Sequence, residues 1–568
     1  MLNKKLDLIV ANCAFVIGII GVRVQSPGLL GGSLIVLSTL YYLNASTYHL
    51  GGIVLLLVLM APINSSGWLY GIDSHTAAAQ SKAIMGGWPL TGSNLGGVGT
   101  GYPILYFLAS IVSIITGAGL IPETSNQLLT SQLLPIIFVF LAVSVAAFYS
   151  KRLISESSLS ISNGGIIIAP ILCWTPMFIF HTVFQRRSLS ILLLVSTSAL
   201  LMRYHKSIDR RYLPLLIVLI ISTILTNHLS GFLLLLLVGS QFAHIVVKHW
   251  DNLRNNLMRY SLILLITLLI HQLWSTFAGY GGEYTLVGFF QLRLIETQEI
   301  LASLGLAPKL HSAVFPNQSS PSSLVYFREF IARWLFQVLL AIGISASCIY
   351  SIRRDKDDYR IHIFYLGILV ATSGVAAVII NRVPSITIFE INPMRVFTVF
   401  VLVAGGVAMH GYVVLDRILP SRQIFTRTAI LLFIVLGVIM VPPHYISSTP
   451  PDYQSGSLDP RIGPRLHSLS DFTEEYGEYN QLIGDVIVRA AIQPKTGQEV
   501  NGHHDEIRSG TISSNSAIVL TAQNRYVYSA RYQKSGNQFI TINPYNIFNK
   551  FNKHNRIYDN GDNYVYTK

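Results

Sequence analysis

The stretch YGIDSHTAAAQSKAIMGGWPLTGSNLGGVGTGYPILYF, Tyr70–Phe107, decides how the rest of the chain is read. It sits among long apolar runs, yet it carries Asp73, His75, Lys82, several aromatic residues and many glycines. A chain that crosses a bilayer repeatedly satisfies its backbone inside helices. A polar interruption of this length therefore belongs at a membrane face or against a protein-lined cavity. Within it, TAAAQSKAIM (76–85) is a short helix-former with small residues on one side. The following GGWPLTGSNLGGVGTG (86–101) is a flexible, aromatic-edged loop of the kind that closes over a ligand.

The composition around this stretch points to lipid. Of 568 residues, 51% are hydrophobic and 12% charged, whereas a soluble chain carries about 25% charged residues. Apolar runs of bilayer length recur along most of the sequence, which predicts a polytopic membrane protein. Met1–Lys5 is basic, but no small-residue cleavage site follows the run Leu6–Val22, so it reads as a retained span. Cys13, Cys173 and Cys348 fall inside apolar runs and offer neither a disulfide framework nor metal-ligand spacing. The net charge of +13 reads as basic cytoplasmic loops facing anionic lipid, not as a nucleic-acid surface.

Hydropathy marks candidate segments at about 6–22, 29–43, 48–63, 102–118, 131–149, 164–182, 187–202, 212–227, 229–247, 259–278, 331–350, 361–380, 396–415 and 428–442. The basic stretches RYHKSIDRRY (203–212), VKHWDNLRNNLMRY (247–260), SIRRDKDDYR (351–360) and DRILPSRQIFTR (416–427) come at every second connection. The positive-inside rule puts them in the cytoplasm, along with Lys4 and Lys5. SKRL (150–153) joins them only if one earlier segment does not cross. Segment 102–118 is short, begins with Tyr-Pro and is thinned by Ser110, Ser113 and Gly117, so it is expected to be interfacial or re-entrant. The expectation is about thirteen spans, a cytoplasmic N-terminus and an outer loop over 64–130.

After residue 442 the composition turns polar and rich in Asn, Tyr and Gly. A helix start is expected at Ser470, with acids in its first turn. SAIVLTAQNRYVYSARY and QFITINPYNIF read as strands, and NRIYDNGDNYVYTK as a hairpin turning at Asn560-Gly561. The fold class predicted is mainly α: a polytopic transmembrane helical bundle over 1–442, with juxtamembrane helices in the first large outer loop. A small extracytoplasmic α/β domain follows over 443–568.

A span, an outer-loop Asp, a short Ala/Lys-containing helix, a Gly-rich stretch and then YPILYFL resemble the first outer loop of the GT-C membrane glycosyltransferases, of archaeal and bacterial type. The resemblance covers the order of elements from about residue 48 to 442 and is specific over about 70–107. It implies transfer of a sugar from a polyprenyl (dolichyl) phosphate carrier to an extracytoplasmic glycan or protein acceptor, at the plasma membrane. Inverting transfer needs a base for the acceptor proton and a cation for the departing phosphate. The resemblance assigns the base to Asp73. His75 is a candidate to orient Asp73, and Lys82 to meet phosphate as a point charge. Arg395, in INPMRVFTVFVLVAGGVAMHG, opens a late span as the carrier-phosphate arginine does in the family. Arg328 and Arg333 in FREFIARW are weaker alternatives, and His228 is a candidate pocket-lining residue.

The chain departs from the family in HTVFQRRSLS (181–190), where many relatives have a second acid. Here stand His181, Gln185, Arg186 and Arg187, the arginines on the outer side against the charge rule. No cofactor is assigned, and a divalent metal is left open. Glu283, Glu296 and Glu299 are unranked substitutes for the acid. Asn317 forms a glycosylation sequon, and HHDE (503–506) reads as solvated. Two other readings stay open: a lipid-linked sugar flippase or transporter, and a catalytically degenerate GT-C-like protein. No Asp or Glu stands in the middle of any proposed span, which counts against proton coupling.

Overall fold

The computed structural model describes residues 4–24, 26–44, 47–64, 72–85, 103–120, 130–156, 184–207, 211–227, 230–235, 237–239, 253–277, 323–353, 393–419, 424–439, 464–476, 481–484, 500–501, 504–521, 528–531, 539–542, 550–560 and 563–568, with the isolated positions 170, 242, 488 and 492. The protein is mainly helical. The expected segments 164–182 and 361–380 lie outside the described residues apart from residue 170, and 229–247 is described only in part. The span count therefore lies outside them too.

Three helices open the chain: α1 (Lys4–Arg23), α2 (Pro27–Asn44) and α3 (Thr47–Asn64). Helices α1 and α3 run parallel. Near their starts, His49 Nε2 on α3 lies 3.4 Å from Asp7 Oδ2 on α1, and the Tyr48 hydroxyl donates to Asn12 Oδ1. Further along, Gly18 meets Leu56. Asn64 therefore emerges at the end of this trio opposite Lys4 and Lys5.

Next come α4 (Ile72–Met85), α5 (Ile104–Thr116), α6 (Thr130–Glu156), α7 (Arg186–Ser207) and α8 (Tyr212–Thr226). In α6 and α7 the earlier residues Leu134, Phe138 and Leu189 share one apolar cluster. The later residues Val139, Val143, Ile191 and Val195 share another, so the two helices run parallel. Helix α8 packs back along α7, with Thr197 Oγ1 and Thr223 Oγ1 3.2 Å apart.

The second half supplies α9 (Leu253–Phe277), α10 (Ser323–Arg353), α11 (Pro393–Ile418) and α12 (Ile424–Ile439). Helix α11 is buried on all sides over most of 401–412 and packs against α6, α7, α10 and α12. Its closest partner is α10. A Cβ built on Gly343 would lie 2.8 and 2.9 Å from the carbonyl carbon and Cα of Ala408, and one on Gly411 would strike the Gly343 carbonyl oxygen. Only glycine permits this approach, as in close helix pairs in lipid. Ser347 Oγ and His410 Nδ1, 2.7 Å apart, add a hydrogen bond. Tyr350 packs against the His410 ring and against Val414. The pairs advance together, so α10 and α11 are parallel. Tyr412 leans back toward its own N-terminus, as helical side chains do, and its hydroxyl donates to Leu339 O at 2.8 Å. Asp416 then caps α12, its carboxylate accepting from the Phe425 and Thr426 N–H groups at 2.8 and 2.9 Å.

Apolar side chains line the outside of the bundle as well as its core: the seams hold Gly, Ala, Ser and Thr among Leu, Val and Ile, while Leu6, Ile9, Val16 and Ile20 on α1, and Met258, Leu262, Leu265 and Leu273 on α9, face outward. Soluble monomers rarely expose contiguous apolar surface on that scale. Among the described residues, Lys5–Arg23 and Thr130–Phe148 are long and apolar enough to cross a membrane, and shorter apolar helices accompany them.

The C-terminal residues form α13 (Pro464–Tyr476), α14 (His504–Ser509) and strands β1 (Gln481–Ile483), β2 (Val500–Asn501), β3 (Ser516–Thr521), β4 (Tyr528–Arg531), β5 (Phe539–Ile542), β6 (Asn555–Asp559) and β7 (Asn563–Thr567). Helix α13 begins at Pro464, not at Ser470. Proline suits the first helical position, where no N–H is needed, and Ser470 is buried inside the helix. The main sheet has the order β2-β1-β3-β7-β6, parallel across β2-β1-β3 and antiparallel beyond. Strand β3 is central and buried on both faces. Ala517 and Val519 join Leu469 and Val565 on one side; Ile518 and Leu520 join Ile507 and Phe551 on the other. Strands β4 and β5 form a separate pair.

Two outcomes test these packings. Gly411→Leu should lower stability in detergent by about 1–3 kcal/mol or prevent folding, because overpacking meets backbone. Gly28→Ala, where the added methyl meets nothing within 4 Å, should leave the thermal midpoint nearly unchanged. In the C-terminal sheet, burial pushes the Tyr558 and Tyr566 phenols up. Their neutral forms favour the fold, so this contribution is full below the unfolded value of about 10 and is lost as pH rises past it. Circular dichroism of the sheet should hold to about pH 10 and fall above it.

Candidate functional site

Helices α4 and α5 form the core of the candidate site. Helix α5 has 13 residues, about 20 Å at 1.5 Å per residue, against a hydrocarbon core of about 30 Å. One face is buried through Leu105, Tyr106, Ala109, Ser110 and Ser113. The other exposes Phe107, Ile111, Ile114 and Ile115. Serine fastens the pair: Ser110 Oγ lies 2.7 Å from both Ser81 O on α4 and Tyr106 O on its own helix. Helix α5 ends at Gly117, whose φ of +68° suits glycine in a left-handed C-cap. The turn is then sewn to α6. The Thr130 N–H donates to Gly119 O at 2.9 Å, and Ser131 Oγ donates to Leu120 O at 2.7 Å.

This pair of helices packs on the beginnings of α6 and α7. Ala77 and Ala78 of α4 share a cluster with Leu105, Tyr106, Ala109, Leu134, Phe138, Phe184 and Leu189. Asp73 lies in the first turn of α4, one and two turns ahead of Ala77 and Gln80, which are buried. It therefore shares their helical stripe. His75 instead falls on the stripe of Lys82, seven residues on, which is exposed. Register separates the two residues that the sequence groups together.

Arg395 is the third residue of α11, the helix at the centre of the bundle. Arg328 lies in the second turn of α10. Counting back from the glycine contact, Arg328 is 15 residues before Gly343 and Arg395 is 13 before Ala408, about 22 and 20 Å of helix. Parallel helices in contact thus bring both positions to one end of the bundle at similar height. Register also distinguishes the two arginines of FREFIARW. Position 328 continues the stripe of exposed Ile331 and Leu335, while position 333 continues that of buried Gln337, Leu340 and Ile344. Glu329 stands one turn before 333 on the same stripe.

Arg186 and Arg187, anomalous by the charge rule, are the first two residues of α7. They are half-buried between Phe184 and Leu189, in the cluster that holds α4. The signal for them was the Arg-Arg pair at the head of an apolar run. His228, Asn317, Glu283, Glu296 and Glu299 lie outside the described residues. Within HHDE, residues from His504 on belong to α14. Among the described residues there is no group of three or more His, Cys, Asp or Glu that could hold a metal ion.

No protein-family model matches the chain, and no curated protein matches it. Among solved structures the chain is similar to ArnT from Cupriavidus metallidurans. The form bound to undecaprenyl phosphate aligns at TM-score 0.40 and 12% identity, covering 90% of this chain and 97% of ArnT. The apo form aligns at TM-score 0.39 and 14% identity, covering 91% and 97%. A likeness of that extent does not decide fold family or function, which rest on the chain's own residues.

The register carries its own test. Position 333 lies on a buried stripe and 328 on an exposed one. Arg333→Leu should therefore change the thermal midpoint in detergent by more than Arg328→Leu, whose effect should stay within about 0.5 kcal/mol.

Proposed function

We propose that the chain is a polytopic membrane glycosyltransferase of the GT-C type, moving a sugar from a polyprenyl phosphate carrier to an acceptor outside the cytoplasm. The observation that carries this reading is the α4–α5 pair. A carboxylate-bearing first turn belongs to α4, which Ser110 ties to α5, a helix too short to span a bilayer; Ser131 in turn ties the end of α5 to α6. The outward apolar faces of α1, α5 and α9 support a membrane location. In this reading α5 lies at the outer boundary without crossing, and residues 443–568 form an outer domain.

The chemistry follows from that placement. A lipid carrier keeps its tail in the bilayer while its phosphosugar reaches the boundary. Asp73 takes the proton of the acceptor hydroxyl or amine as the acceptor attacks the anomeric carbon. The bond from that carbon to the phosphate oxygen breaks, and the polyprenyl phosphate leaves with negative charge. Arg395, at the head of the central helix, meets that charge with a guanidinium that stays protonated. The helix dipole at the start of α11 acts in the same sense. Arg186 and Arg187 add positive charge beside α4.

One observation favours the flippase reading: the buried pair of Asp7 and His49. It sits in the first turns of α1 and α3, at the helix ends. Coupling sites of transporters lie near mid-bilayer, often at broken helices, so the transferase reading is preferred.

Transfer from a polyprenyl phosphate sugar, assayed with purified protein in liposomes, tests the proposal. Asp73→Asn should abolish transfer with insertion and carrier binding intact; undiminished transfer removes Asp73 from the mechanism. Arg395→Ala should raise KM for the carrier by roughly one to two orders of magnitude. A change confined to the acceptor would count against its phosphate role.

A further inference from the structure

The C-terminal sheet carries an aromatic surface that the transfer reaction does not use. Phe472 and Tyr476, one turn apart on α13, have ring centroids 5.3 Å apart. Tyr558 on β6 stacks on Phe472 at 4.5 Å with the planes tilted by 34°. Phe472 and Tyr558 are half-buried over the core, whereas Tyr476 is 62% exposed. The three rings form a step from the sheet to solvent.

Tyr558 reaches this step because of a β-bulge. Arg556 pairs with Tyr566, and Tyr558 with Val565, leaving Ile557 as the extra residue. In a regular strand, positions 556 and 558 share a face. Here Arg556 lies over Tyr564 on one side of the sheet, and Tyr558 joins Phe472 on the other. Bulges that re-aim a side chain in this way gather at functional surfaces. The phenol is held in place: Asn560 Nδ2 donates to Tyr558 Oη at 3.0 Å, and Asn560 Oδ1 accepts from the Asn563 N–H at 2.9 Å.

We propose that Phe472, Tyr476 and Tyr558, edged by Asn560, bind a pyranose ring of a neutral glycan. A pyranose has an apolar C–H face that suits the electron-rich face of an aromatic ring and a hydroxyl rim that suits carboxamide and phenol groups. A peptide strand adding to the edge of β6 is disfavoured on the same surface. The bulge and the Arg556–Asp559 ion pair at 3.1 Å are devices that block strand addition. The site goes beyond the transferase reading and does not rest on it, since a chain without transfer activity would still bind.

The test uses the full-length protein in detergent micelles, with chitotetraose, mannotetraose and cellotetraose as probes, followed by saturation-transfer NMR and calorimetry. At least one probe should bind with Kd of about 1 mM or tighter. Tyr476→Ala should weaken it about tenfold. Tyr558→Phe should weaken it less, losing one hydrogen bond and keeping the stack. Circular dichroism and elution volume should match the parent. The proposal is overturned if none of the three binds, or if Tyr476→Ala leaves affinity unchanged. It is equally overturned if an extended peptide occupies β6 and the oligosaccharides do not compete.

Discussion

Two glycines bring two backbones into contact, and much of the helical part of the protein takes its position from that closeness. Gly343 and Gly411 let α10 lie against α11 with carbonyl and Cα in contact. Lipid offers no hydrophobic gain for bringing apolar helices together, so association depends on close packing and on hydrogen bonds such as Ser347–His410. The consequence is positional. Once the register between the two helices is fixed, the second turn of α10 and the first turn of α11 sit at one end at similar height, and Arg395 lies in the first turn of the helix that α6, α7, α10 and α12 pack against. Position 395 thus belongs to the most enclosed helix of the bundle.

The opposite device places the carboxylate. Asp73 belongs to a short helix that owes its position to neighbours, through buried alanines, a shared serine proton and the stitches between α5 and α6. Short helices are marginal alone and remain free of the length constraint that binds a span. They can hold a polar group at the boundary, where a carboxylate is partly desolvated yet reachable from water. In the proposed reading, a carrier with a lipid tail and a charged head would meet fixed charge on the long helices and a carboxylate on a short one.

The sequence makes some of this plain and hides the rest for physical reasons. Helices of period 3.6 with uniform apolar content announce themselves, and the ends of α2, α3 and α8 fall within about two residues of the hydropathy segments. The thinning of 102–118 by Ser110, Ser113 and Gly117 is visible as weakened hydropathy, and each of those residues has a structural use in α5. Register is not visible. Nothing in FREFIARW says which arginine continues the buried stripe, because that depends on which side of α10 meets α11. Asp73 and His75 look like one motif in the sequence, yet helical geometry sets them on different stripes. The start of α13 was missed because Asp471, Glu474 and Glu475 resemble a first turn, while Pro464 supplies the start six residues earlier.

Arg186 and Arg187 show why a charge rule needs a structure beside it. The positive-inside rule counts residues in loops that must stay on one side of a bilayer. These two are helix residues flanked by Phe184 and Leu189, both nearly inaccessible, and each has interactions of its own. A guanidinium paid for by protein contacts carries no weight in a loop count. Its long stem can lie along apolar surface while its head stays polar. The pair therefore does not reverse the orientation drawn from the four basic connections. It adds charge where α4 meets the bundle.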